Sequence, residues 1–157
     1  MKKSPLRIAI AGLLGGFVGN GLLGAIFSSP PIKSLLYNPE IQSPLFIEIT
    51  LKRNIPVSVT GLVVLSVIHS WLFSIFRPSI PGNTWIRKGL FWGLTIFLMY
   101  WLFQEWFIYN TLLGEPLILN LLELSILLTG SMAEGVIIAF FLARNGGHDR
   151  RDSFHRT

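Results

Sequence analysis

Two carboxylates, Glu123 and Glu134, sit inside the apolar run spanning residues 117–144. A charged side chain at mid-bilayer costs at least ~2.5–3.5 kcal/mol on insertion scales, so acids in such a place need a role: a proton or cation to hold, a helix to pair with, or a partner subunit to meet. Helical steps of three, four and seven residues put Asn120, Glu123, Leu127, Gly130 and Glu134 on one face, which is expected to point into protein. Ser131, Gly135, Ala139 and Ala143 recur at strict four-residue intervals and form a second ribbon, flat enough for another helix backbone to approach.

The other polar residues in apolar surroundings are Asn20, His69 and Glu105. Counting ~1.5 Å per helical residue from the basic ends gives each a depth. The expectation is an outer group of Asn20, Glu105 and Glu123, with Gln104 and Asn120 at compatible levels, and an inner pair of His69 and Glu134. Ionisable groups at successive depths suit proton or small-cation movement. Each residue also has a plainer reading. Glu105, near Trp101 and Trp106, suits an interfacial residue reaching headgroup water. Glu123 suits hydrogen bonding between helices, and His69, beside Ser66, Ser70 and Ser74, suits a packing histidine.

Other chemistries are constrained by what the chain contains. It has no cysteine, which removes disulfides, thiolate metal sites and cysteine nucleophiles. Walker-type phosphate loops, H-E-x-x-H and G-x-S-x-G are all missing, so an enzyme is not the expected reading. A lipid-directed enzyme would need a nucleophile or metal constellation near an interface, and the outer group lacks histidine. His148 and His155 lie in the tail, which disfavours a haem held between two histidines and leaves His69 as a candidate single axial ligand for a haem or pigment. A carboxylate-bridged metal pair would want acids and a Glu-x-x-His motif at one level. The acids here are expected at two levels, so neither a metal nor a resident cofactor is predicted.

The elements that must position these residues follow from hydropathy. At 157 residues, 51% hydrophobic and 13% charged, the chain reads as one integral membrane domain, residues 1–144, with a polar, charged tail at 145–157. Four transmembrane helices are expected at about 6–27, 56–76, 85–109 and 117–144, packed as an antiparallel all-α bundle. The first follows Lys2, Lys3 and Arg7 and is too long for a signal-peptide core, so it is read as an uncleaved span. Gly12, Gly16, Asn20 and Gly24 form one ladder on it, and Ala11, Gly15 and Gly19 the next. Gly12, Gly16, Gly135 and Ala139 are the expected helix-packing positions.

Residues 28–54 form the long outer loop, broken by prolines yet partly apolar, with alternation at Ile47-Glu48-Ile49-Thr50-Leu51 that would allow a short strand. Lys and Arg are concentrated in the N-terminus, the 77–88 loop and the tail, against three in the outer loop and none in the turn at Gly114-Glu115-Pro116. The positive-inside bias then puts both termini in the cytoplasm, in an inner membrane. The net charge of +5 marks topology rather than nucleic-acid binding, because the basic residues sit at the ends of apolar runs. The expected partners are the bilayer and a second copy or other membrane subunits. The expected function is an accessory or self-associating subunit, with proton or small-cation translocation as the alternative.

Overall fold

The computed structural model describes residues 4–48 and 54–144, all helical or in short connections, with no strand among them. In chain order the helices are α1 (Pro5–Phe27), α2 (Pro30–Leu36), α3 (Pro44–Glu48), α4 (Ile55–Phe76), α5 (Trp85–Ile96) and α6 (Leu117–Ala143). Beyond α5 the chain stays helical but widens into two π-helical stretches, Phe97–Trp101 and Gln104–Leu112. Three of these helices, α1, α4 and α6, are long and apolar enough to cross a membrane.

Local chemistry sets the ends. Ser4, Asn54 and Thr84 each accept a hydrogen bond from a backbone N–H of the first turn that follows, at 3.3 Å, and proline stands in the first turn of α1 and α4, where its missing N–H costs nothing. Pro30 and Pro31, read from sequence as breakers, end α1 and also start α2. The long loop therefore carries two short helices. Ile47 and Glu48 belong to α3, so the strand suggested for that stretch does not form there; its remainder and the tail lie outside the described residues. Gly114 adopts φ 68° and stops the π-helical run, a left-handed position that favours glycine.

Helix α6 is the centre. Half of its membrane-length window is buried, against 17% for α4. The face holding Asn120, Glu123, Leu127, Gly130 and Glu134 is buried, and so is the ribbon of Ser131, Gly135, Ala139 and Ala143. The two faces meet different neighbours. A methyl group at Gly15 would strike Ile138, and one at Gly19 would strike Glu134, so this ladder of α1 lies on α6. Gly12 and Gly16 press against Ser66 and Ser70 of α4, while Gly89 and Gly93 of α5 press against Gly135 and Ser131. Each of the two ladders read from the α1 sequence thus has its own partner. Gly24, on the first ladder, has nothing within 4 Å.

The apolar core falls into two layers. One contains Ala11, Phe73, Trp92, Ile138 and Leu142; the other, nearer the long loop, contains Leu23, Phe97, Leu124, Ile126 and Leu127. Beyond the first layer is a basic end, where cations from other helices satisfy the final carbonyls of α6. Arg7 Nε donates to Phe141 O at 2.8 Å and Arg77 Nη1 to Leu142 O at 2.9 Å. Helix C-termini leave such carbonyls without intrahelical partners and favour positive charge.

Candidate functional site

Two polar centres lie along α6. The first is between the apolar layers, where His69 of α4 reaches Glu134 with Nδ1 2.8 Å from Oε1. Glu134 is 6% exposed, so it meets protein rather than lipid. Asn20, Ser66, His69, Ser131 and Glu134 share a cavity of about 30 Å³, enough for one water molecule. The Ser131 hydroxyl is buried there without a partner. Asn20 was expected with the outer acids. It lies in this lower cavity instead, donating to Gly16 O at 2.9 Å.

The second centre is at the loop end. Glu105 projects from the π-helical stretch, Glu115 from the turn after Gly114, and Glu123 from α6; one carboxylate oxygen of each lies within 4.8 Å of the others. All three residues are buried, Glu105 at 2% and Glu115 at 1% exposure. The interfacial reading of Glu105 is therefore corrected. The π turn shifts the register of the helix relative to the 3.6-residue count, so the side chain swings onto the α6 side. Asn120 Nδ2 donates to Glu105 O at 2.7 Å, while Asn120 Oδ1, in a residue with no exposure, has no partner.

The long loop closes over this centre. Gln42 Nε2 donates to Glu115 Oε1 at 2.8 Å and to Leu36 O at 3.1 Å, and Ser43 Oγ donates to Leu113 O at 2.6 Å. Phe46 packs edge-on against Tyr109. Burial pushes the Glu115 carboxyl above its usual range, and the Gln42 and Asn120 amides oppose that by favouring the charged form.

Sequence reasoning did not single out Glu115 or Gln42. Each lies in a connection, where no periodicity marks an inward face. The available signal was the shortness of the turn, which joins two helix ends that each carry an acid. Glu123 and Glu134 lie in separate centres along α6, and three acids gather at the loop end.

The two centres are separated by an apolar layer. The eleven-residue step along α6 from Glu123 to Glu134 spans about 16 Å, and Leu124 and Leu127 fill that interval with Leu23 and Phe97. A further feature is a cleft of roughly 520 Å³ between α4 and α5, walled by Leu72, Phe76, Trp92, Thr95, Met99 and His69. Comparison with protein-family models, curated proteins and solved structures finds no match for the chain.

Proposed function

We propose that the chain is a four-pass protein of the inner membrane, with both termini cytoplasmic and its spans antiparallel, acting as an accessory or self-associating subunit of a membrane complex. The fourth span in this reading is α5 with its π-helical continuation. Its mean hydropathy is lowered by tryptophan, tyrosine, Gln104 and Glu105, although its length suffices. Under this topology the loop end and the three-carboxylate centre face outward.

The observation that carries the subunit reading is the cleft between α4 and α5. Membrane helices associate by close packing and by hydrogen bonds formed away from water. A cleft that offers apolar walls together with His69 and Thr95 suits a transmembrane helix of a second copy or of another subunit. The exposure of α4 throughout residues 55–65 supports the same reading.

The test uses the absence of native cysteine. Thr95→Cys and Met99→Cys, oxidised or treated with a short bifunctional maleimide in native membranes, should give a specific adduct, either the homodimer or a heteromer identified by mass spectrometry. Monomer alone, both after cross-linking and in mild detergent, would refute the subunit reading. Topology is checked separately with Tyr37→Cys and Ser79→Cys, which should react with an impermeant maleimide from opposite sides.

Proton or small-cation movement is the second reading, favoured by the His69–Glu134 pair beside a water-sized cavity. The layer of Leu23, Leu124 and Leu127 opposes a continuous path to the upper acids. Glu134→Gln that preserves assembly but abolishes an ion-dependent phenotype would favour this reading over the first.

A further inference from the structure

Buried carboxylates are ordinarily paired with a cation or hydrogen-bonded throughout, because a bare charge in a low-dielectric interior is costly. Glu105, Glu115 and Glu123 have no ion pair with any described residue, and one oxygen each of Glu105 and Glu115 is buried without a partner. A cluster of acids alone would not identify a ligand. Asn120 adds an independent observation. It is fully buried, its amide lies against both the Glu105 carbonyl and the Glu115 carboxyl, and its Oδ1 is left without a donor. An amide oxygen left without a donor, on a buried side chain whose nitrogen meets two of the three acids, is one that a metal cation would complete.

We infer that Glu105, Glu115, Glu123 and the Asn120 side-chain oxygen form a binding site for a Ca²⁺-sized divalent cation. The ligand set contains only oxygen, which selects hard cations over zinc or copper. The carboxylate oxygens lie within 4.8 Å of one another. Ca²⁺ takes oxygens at about 2.3–2.6 Å, so ligands on opposite sides of one ion stand about 4.6–5.2 Å apart, and a single Ca²⁺ can reach all three. Mg²⁺, with bonds of about 2.0–2.1 Å and near-ideal octahedral geometry, would require the three elements to draw closer.

The supporting shell is also in place. Gln42 Nε2 holds Glu115 Oε1 at 2.8 Å, as outer-shell donors orient metal-binding carboxylates elsewhere. An ion here would tie the turn, α6, the π-helical stretch and, through Gln42, the long loop into one unit. The inference stands apart from the subunit reading, since a monomer that binds the ion keeps it.

The experiment is calorimetric titration of Ca²⁺ into the full chain, purified in dodecyl maltoside and freed of metal with a chelator. One saturable Ca²⁺ per chain is expected, bound more tightly than Mg²⁺. Glu123→Gln and Asn120→Leu should weaken it on the order of tenfold or more, and Asn120→Asp, which adds a fourth charge, should tighten it. Glu40→Gln, at an exposed position in the same loop, should leave it unchanged. No saturable binding to the unaltered chain would overturn the inference. So would Ca²⁺ binding that is indifferent to both Glu123→Gln and Asn120→Asp.

Discussion

Gly135→Ala is a single methyl group added where the backbones of α5 and α6 touch. The new Cβ would stand 2.8 Å from Gly93 Cα and closer still to Gly89 O and Gly93 N. All three are backbone atoms, so no side chain can rotate away. Ordinary contact begins near 3.4 Å, so α5 must retreat by on the order of 0.5–1 Å, and a gap of that size forfeits a quarter to a half of each dispersion contact along the seam. Overpacking of this kind costs about 1–3 kcal/mol. At about 1.4 kcal/mol per tenfold, the folded-to-unfolded ratio should fall roughly 5- to 150-fold. The control is Gly24→Ala on α1, where nothing lies within 4 Å and the change should stay within about 0.5 kcal/mol. Reversible unfolding in mixed micelles, with a rising fraction of denaturing detergent, measures both. If Gly135→Ala unfolds with the unaltered chain, as Gly24→Ala should, the close approach of α5 to α6 is wrong.

Further outcomes follow from single contacts. His69→Ala should destabilise the chain by about 1–3 kcal/mol in the same assay, because it leaves buried Glu134 without its 2.8 Å partner, and His69→Gln should recover part of the loss. Gln42→Leu removes the amide that bridges Leu36 O and Glu115 Oε1; hydrogen exchange should quicken in residues 37–47 while α1 and α6 stay protected. Arg77→Gln takes a full charge from the last carbonyls of α6 and should cost about 0.3–1 kcal/mol, more at low salt than at high salt. Glu123→Gln and Glu134→Gln should be additive within about 0.5 kcal/mol, because the residues are about 16 Å apart with no shared partner; a coupling above ~1 kcal/mol would contradict the apolar layer between them.

What the sequence made legible is what depends on helical periodicity alone. The buried faces of α6 follow from three- and four-residue spacing, and the two ladders of α1 follow from glycine positions, since a helix with two flat stripes has two neighbours. Counting 1.5 Å per residue sets His69 level with Glu134 on two different helices, and in the structure their side chains are 2.8 Å apart. The same count fails for Asn20, which it sets level with the outer acids and which lies instead in the cavity beside His69 and Glu134. It fails again beyond Phe97, where hydrogen bonds of i to i+5 spacing replace the α pattern and rotate Glu105 into the interior. Gln42 and Glu115 are held by tertiary contacts of connections, for which no periodic rule exists.

The placement of the apolar layer separates the functional readings more sharply than the identity of any one acid. A relay along α6 would need donors and acceptors every few ångströms between Glu123 and Glu134. Leu124 and Leu127 occupy that interval, Leu23 fills the space beside Gly130, and Phe97 closes it from the π-helical side. Of the hydroxyls on that stretch, Ser125 and Thr129 are exposed and donate back to carbonyls of their own helix at 2.8 and 3.0 Å, and Ser131 lines the cavity beside Glu134 below the layer. The lower pair, by contrast, borders the cleft where a neighbouring helix would lie, and the upper acids border the long loop. The two ionisable centres thus border different surfaces and are insulated from each other by apolar side chains, which favours the proposed subunit with separate contacts over the proposed path for ions.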